Sequence, residues 1–346
     1  MRPSFSRLSF SFALFSFVFC SSFAYAFSSF KFSKTEYVKA IIWLQIPGLD
    51  FHHSVFLSYL LQEHQVNPKI KSEFESADCI GSLITANSHT ITPALSEVLL
   101  GQLSGKRTLL GENKCEILKE NFAWHEFEKN QFLSGILEKF SSEEQRKEFS
   151  LFELAPTCPN SSQFLDSILS WIMAPGKKIG EKEKKFSFQE KNFFEFGNSY
   201  WDKTCTEKEC YALLSTNLEY LLKEFFYDSV AKNLRRRFLL VRDFTYYAQL
   251  QKKDIPAIGK TLLEFEKVLQ VIQEFREKNP GILFFISSAL PASFTWEKKQ
   301  GLVPIKEIVF LDSLTTPLFA WGPRSSLICG HYNQHDLLTR LFAPTF

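Results

Sequence analysis

The chain of 346 residues contains no CxxC pair, no Gly-rich phosphate loop and no uninterrupted apolar run of the ~20 residues that a membrane-spanning helix needs. Without CxxC, neither a zinc ribbon nor a thioredoxin-like redox motif is supported. GQLSGKRT, residues 101–108, has the wrong glycine spacing for a phosphate-binding loop, and no Gly-Lys-Ser/Thr follows. An excess of one sign of charge is lacking too. The 40 Lys and Arg residues against 38 Asp and Glu leave a net charge of +2, so nothing global points to nucleic acid. No internal repeat is visible. Hydrophobic residues make up 45 % of the chain, enough for a sizeable core and too many for a disordered one. The 38 Phe residues are spread through expected strands and helices alike, as core packing would spread them.

Arg2 and Arg7 precede an apolar, Phe- and Ser-rich stretch, residues 8–23, that closes on Ala24-Tyr25-Ala26. That small-x-small ending is the pattern of a signal peptidase site. Residues 1–26 therefore read as a signal peptide and 27–346 as a mature chain without an integral span, exported to a periplasmic or extracellular space. A lipoprotein reading through Cys20 fits worse, because the bulky Phe19 precedes it. Cys79, Cys115, Cys158, Cys205, Cys210 and Cys329 remain, an even number suited to an oxidising compartment. Cys205 and Cys210, close in sequence, are the first candidate disulfide; the rest of the connectivity is open.

The apolar run from Tyr37 to Ile46, closed by Pro47-Gly48, predicts a buried parallel strand with a tight exit. Leu57 to Leu61 falls on a first helix, Cys79 to Ile84 on a second strand, and Pro93 to Leu103 on a helix with Pro in its first turn. Residues 141–216 turn polar and read as an insertion or cap on a single α/β domain. The mixed-sign cluster from Lys177 to Lys185 within it reads as a solvated face. A helix is expected from Asn217 to Asn233, with Arg235-Arg236-Arg237 as its basic end before a strand at Phe238 to Val241. Leu262, Phe265, Leu269, Ile272 and Arg276 have helical spacing, and Asn279-Pro280-Gly281 is the stop. Strands follow at Gly281 to Ser287 and Pro317 to Trp321, with a last helix from about Gln334. Strands alternating with helices predict an α/β fold, a doubly wound and mostly parallel sheet flanked by helices.

Several segments, in order, resemble the alkaline phosphatase superfamily. PLFAWGPRSSLICGHYNQHDLLTRLF, Pro317 to Phe342, is similar to that family's closing strand, Gly-Pro, later Gly and Gln-x-Asp before the last helix. IIWLQIPG resembles its opening strand, and TITPALSEVLLGQLSGKRTLLG, Thr90 to Gly111, its nucleophile helix. The helix ending at Arg276 with GILFFISSA resembles the helix and strand that deliver an Asp-His pair. The resemblance implies an alkaline phosphatase-like fold. It also implies an active site of two divalent metals, commonly zinc, held by Asp and His and activating a Ser or Thr for ester hydrolysis.

Mapped residue by residue, most of that site is missing. The opening ligand Asp falls on Pro47, which offers no donor. The nucleophile position falls on Ile91, with Thr90 and Thr92 on either side as the candidates if the chain is active. The Asp-x-x-x-His corresponds to Asp243 and Tyr247, and the Asp-His pair to Ser288 and Ala289. The last histidine falls near Asp312. Asp243 and Asp312 are thus the metal-ligand remnants, and no metal or other cofactor is expected unless zinc or another divalent ion is held by a rearranged set.

Two other groupings could carry a metal: Asp50 with His52 and His53 past the first strand, and His331 with His335 and Asp336 at i, i+4 spacing if they share a helix. Three functions compete. The first is an exported pseudoenzyme that keeps the fold and has lost catalysis. The second is an active phosphate or sulfate ester hydrolase using Thr90 or Thr92. The third is an envelope interaction protein whose contact lies in residues 141–216. An envelope protein or a phosphorylated ligand is the expected partner class, and nucleic acid is not.

Overall fold

The computed structural model describes residues 38–64, 71–85, 94–105, 126–127, 130, 132–151, 184–186, 193–196, 199–202, 218, 222, 236–296, 305–310 and 315–342. The signal-peptide segment and the Cys205/Cys210 pair lie outside them.

Strand β1, Ala40–Gln45, is buried at every residue. Ala40, Ile42 and Leu44 face one apolar cluster and Ile41 and Trp43 another, on opposite sides of the pleat. A strand covered on both faces reads as a continuous apolar run, which is why it was legible in the sequence. It pairs in parallel with β7, Arg236–Asp243, and with β8, Ile282–Ser287. Outward from β7 come β3, Phe132–Lys139, and β6, Ser199–Asp202, both parallel. Beyond them β5, Phe193–Phe196, and β4, Lys184–Phe186, continue antiparallel. Outward from β8 lie β11, Thr315–Trp321, antiparallel to both neighbours, then β2, Cys79–Ile84, and the short edge strand β12, His331–Asn333. The full order is β12-β2-β11-β8-β1-β7-β3-β6-β5-β4.

One face of this sheet carries α1, Phe51–His64, and α5, Ile255–Lys278. The other carries α2, Leu95–Ser104, and α6, Asp336–Leu341. Helices on both faces of a sheet with a parallel centre make the expected doubly wound α/β arrangement. Two shorter helices, α3 (Glu143–Phe149) and α4 (Thr245–Lys252), sit at the carboxyl ends of β3 and β7. Helix α5 starts where the Asp254 side chain accepts the Ala257 N–H at 3.2 Å, with Pro256 in its first turn. Its buried stripe is Ile258, Leu262, Phe265, Val268, Leu269 and Ile272, and the chain leaves it through Gly281 at φ 105°. Helix α2 ends at Gly105, which takes the left-handed conformation.

One expectation is corrected, and two features of the sheets were not foreseen. Arg236 and Arg237 are the first residues of β7, not the basic end of a helix; Arg236 lies over the Phe132 ring at 5.6 Å, so its neighbour strand supplies the contact. The described strands within residues 141–216, β4 to β6, prolong the sheet edge, where β6 pairs with β3. A hairpin of β9, Ala292–Trp296, and β10, Ile305–Phe310, was not anticipated either. Of the helix expected at 217–233 only Leu218 and Leu222 are described, both helical and buried in the core. No helix among the described residues is long and apolar enough to cross a membrane.

A disulfide joins Cys79, the first residue of β2, to Cys329, just before β12, across 250 residues of sequence. Cross-linking so long a loop restricts the unfolded chain, and the Cys79→Ser/Cys329→Ser pair should lose about 2–4 kcal/mol in urea unfolding. A midpoint unchanged from that of the parent would mean the bridge contributes nothing to folding.

Candidate functional site

In an open α/β sheet, ligands gather outside the carboxyl ends of the parallel strands. Register places Ser287, Gln45, Arg242 and Glu138 side by side near those ends, on β8, β1, β7 and β3. All four are buried, and Gln102 reaches down to them from α2. Trp43 Nε1 donates to Ser287 Oγ at 2.8 Å, and Ser287 Oγ donates to Gln102 Oε1 at 2.8 Å. Gln102 Nε2 donates to the Ser288 carbonyl at 2.8 Å, and Gln45 Nε2 to Gln102 Oε1 at 3.1 Å. Arg242 Nε donates to Gln45 Oε1 at 3.1 Å, while its Nη1 donates to Glu138 Oε1 at 2.5 Å and to the Phe149 carbonyl at 2.9 Å. Glu138 also accepts Ser150 Oγ at 2.7 Å and the Leu151 N–H at 3.1 Å. Burial pushes the Arg242 guanidinium below its ordinary value, and the Glu138 carboxylate holds it back. The result is a chain of paired groups running under α2.

Above the row, at the strand ends themselves, the environment is apolar. Phe140 follows β3, Phe244 follows β7 and Ala289 lies just past β8; with Leu95, Val98 and Leu99 of α2 and Phe149 of α3 they form one cluster. Phe244 stacks with Phe140 and with Phe149, with centroids 5.0 and 5.1 Å away and interplanar angles of 16° and 11°. The Arg242 guanidinium carbon lies 5.0 Å from the Phe244 ring centroid.

Asp243 is buried at the end of β7, but its carboxylate is committed. Its Oδ1 accepts the Thr245 N–H at 2.8 Å and the Thr245 hydroxyl, and Lys139 Nζ lies 4.0 Å from Oδ2. It therefore tethers the start of α4, with the Lys139 ammonium on its other side. Tyr247 is on α4 and packs edge-on to Phe310 with centroids 5.5 Å apart; burial pushes its hydroxyl up. Pro47 lies in the turn after β1, where Gly48 N–H donates to the Ala289 carbonyl at 2.8 Å. Thr90, Thr92 and Asp312 lie outside the described residues.

The two histidine groupings do not assemble. His53 is fully buried and stacks on Phe294 at 4.1 Å and 6°, while its neighbour His52 is exposed. Successive helical residues diverge by about 100°, so the two imidazoles serve different environments. The Asp50 N–H reaches His53 Nδ1 at 3.2 Å, which makes that nitrogen an acceptor and the Tyr246 hydroxyl, 2.8 Å away, a second donor. Burial pushes His53 down to about 3, and burial raises Asp50. His331 and His335 share no helix. His331 is on β12 with Nδ1 2.6 Å from Ser82 Oγ, and His335 precedes α6 with Nε2 3.6 Å from Asp336. Among the described residues no group of three or more His, Cys, Asp or Glu side chains stands close enough to hold a metal ion. The donors present do not fit one either: a proline, a tyrosine, a serine, an alanine and a carboxylate already engaged.

The central parallel strands with β11 antiparallel beside them, the helices on both faces and α2 over the strand ends define an alkaline phosphatase-like fold. The solved structures agree. The alkaline phosphatase of the Antarctic bacterium TAB5 matches with a TM-score of 0.59 over 88 % of this chain and 97 % of its own, at 12 % identity. The cold-active alkaline phosphatase of a psychrophilic Shewanella sp. gives a TM-score of 0.61 over 88 % of this chain and 100 % of its own, at 10 % identity. No family model matches the sequence, and no curated protein does. Such identities establish the fold and transfer no chemistry.

Proposed function

We propose that this chain is an exported pseudoenzyme: an alkaline phosphatase-like fold whose catalytic end has been converted into core, with a binding role in place of hydrolysis. The observation that carries the reading is the state of Asp243, the one ligand position that keeps its residue type. Its oxygens cap α4 and face Lys139, and the neighbouring strand ends bear Phe140, Phe244 and Ala289 packed against α2. A divalent ion needs anionic or lone-pair donors in fixed geometry, and an apolar cluster offers none.

The protein purified without chelators, then incubated in turn with zinc, manganese, magnesium and calcium, should hold well below about one ion per chain by elemental mass spectrometry. It should also leave p-nitrophenyl phosphate intact. Metal-dependent hydrolysis abolished by Thr90→Ala or Thr92→Ala would overturn the reading in favour of an active ester hydrolase. Export belongs to the same proposal and rests on residues 1–26; amino-terminal sequencing of the secreted chain should begin near Phe27.

A further inference from the structure

A hydroxyl and an imidazole meet at the sheet edge, away from the row under α2. Ser82 of β2 and His331 of β12 are register partners, and the Ser82 N–H donates to the Gly330 carbonyl at 2.8 Å. Ser82 Oγ stands 2.6 Å from His331 Nδ1. Two features fix the pair in place. Gly81 lets the strands close up, since a Cβ on it would stand 2.6 Å from the Gly330 carbonyl oxygen. The Cys79–Cys329 disulfide joins the same two segments covalently.

Strand alternation sets the surroundings. Cys79 and Leu83 of β2 and Tyr332 of β12 belong to the apolar cluster under α2 and α6. Ile80, Ser82 and Ile84 therefore present the opposite face, with His331 beside Ser82. On that face Ile80 is 55 % exposed, His331 is exposed, and Ser82 and Ile84 are half-buried. Pro317 of β11 lies opposite Ser82 on the other side. A polar pair that solvent can reach is thus flanked by an isoleucine in each direction along β2.

A serine hydroxyl is a weak nucleophile unless an adjacent base takes its proton. With its own proton on Nε2, His331 accepts the Ser82 hydroxyl at Nδ1, and 2.6 Å is within the reach of general-base transfer. We propose that Ser82 and His331 form a nucleophile–base dyad acting on carboxylic esters with an apolar acyl group, at a place separate from the strand ends. Ser82 Oγ adds to the ester carbonyl carbon as its proton passes to His331. The bond from carbon to the alkoxy oxygen then breaks, and the alcohol leaves with that proton. Water resolves the acyl-serine by the same route. It gives a proton to His331, its oxygen bonds to the acyl carbon, and Ser82 Oγ leaves and takes the proton back. Ile80 and Ile84 supply the apolar surface for the acyl chain.

The purified chain should hydrolyse p-nitrophenyl butyrate and take up an alkyl fluorophosphonate on Ser82, located by peptide mass spectrometry. Ser82→Ala should lose both. His331→Asn keeps a hydrogen-bonding amide near the Nδ1 position but cannot accept a proton, so both rates should fall about 100-fold or more. Melting temperatures that match the parent's assign those losses to chemistry and not to unfolding. A hydrogen bond that only pins the edge strand predicts otherwise. No adduct on Ser82 in the parent, or an adduct that forms as fast in His331→Asn, would overturn the proposal.

Discussion

Arg242→Met and Glu138→Leu should each cost about 3–5 kcal/mol of folding stability, while the double variant recovers most of that loss. The two side chains are almost wholly removed from solvent and meet at 2.5 Å. Truncating either one strands the other charge where water cannot reach it, which is far worse than never having buried the pair. The double variant replaces both charges with apolar groups of comparable bulk and removes that penalty. Recovery should be incomplete, because Gln45 Oε1 loses Arg242 Nε, and Ser150 and the Leu151 N–H lose Glu138. Urea unfolding of the four proteins of the cycle measures the coupling. Additive losses would mean that the row is held by its neighbours and not by this pair.

Acid should weaken the fold through His53. Its folded value is about 3 against an ordinary 6.5, and burial is the main cause. A histidine depressed on folding binds fewer protons in the folded than in the unfolded state, so its stabilisation is full above 6.5 and falls away as pH drops towards 3. At about 1.4 kcal/mol per unit, the complete swing is on the order of 5 kcal/mol. Geometry supports the direction: Nδ1 already accepts from the Asp50 N–H and the Tyr246 hydroxyl, so protonating it would break both bonds. Asp50 and Glu266 work the other way. Burial raises both, so the folded state gains protons early as pH falls and regains some stability there. Comparing the parent with His53→Gln removes that background. Between pH 7.5 and 4.5 the parent should lose roughly 2–3 kcal/mol more than the variant. Equal acid slopes in the two proteins would rule out His53 as the cause.

These two clusters also mark where reading the sequence stops. The run from Tyr37 to Ile46 and GILFFIS each announce a buried strand, since both faces of the sheet are covered there and local hydrophobicity suffices. The spacing of Leu262, Phe265, Leu269 and Ile272 announces α5 for the analogous helical reason. Strand β3 escaped because FLSGILEK mixes Ser, Gly, Glu and Lys into its pattern, and Glu138 is buried only because Arg242 arrives from a strand about a hundred residues on. An arginine inside the apolar FLLVRD was the one available signal for the polar row. The His331/His335 pair misled for a related reason: i, i+4 spacing means proximity only on a helix, and His331 is on a strand.

The sequence alone determined the doubly wound class and the segments that become the central strands, because these depend on local pattern; that Pro47, Tyr247, Ser288 and Ala289 stand at ligand positions is what the family resemblance implies. Only the tertiary structure decided that Asp243 faces Lys139, that Phe140, Phe244 and Phe149 stack at the strand ends, and that Cys79 meets Cys329. Each joins side chains from different elements, and which of them meet is set by strand register and helix placement, to which no single stretch of chain has access.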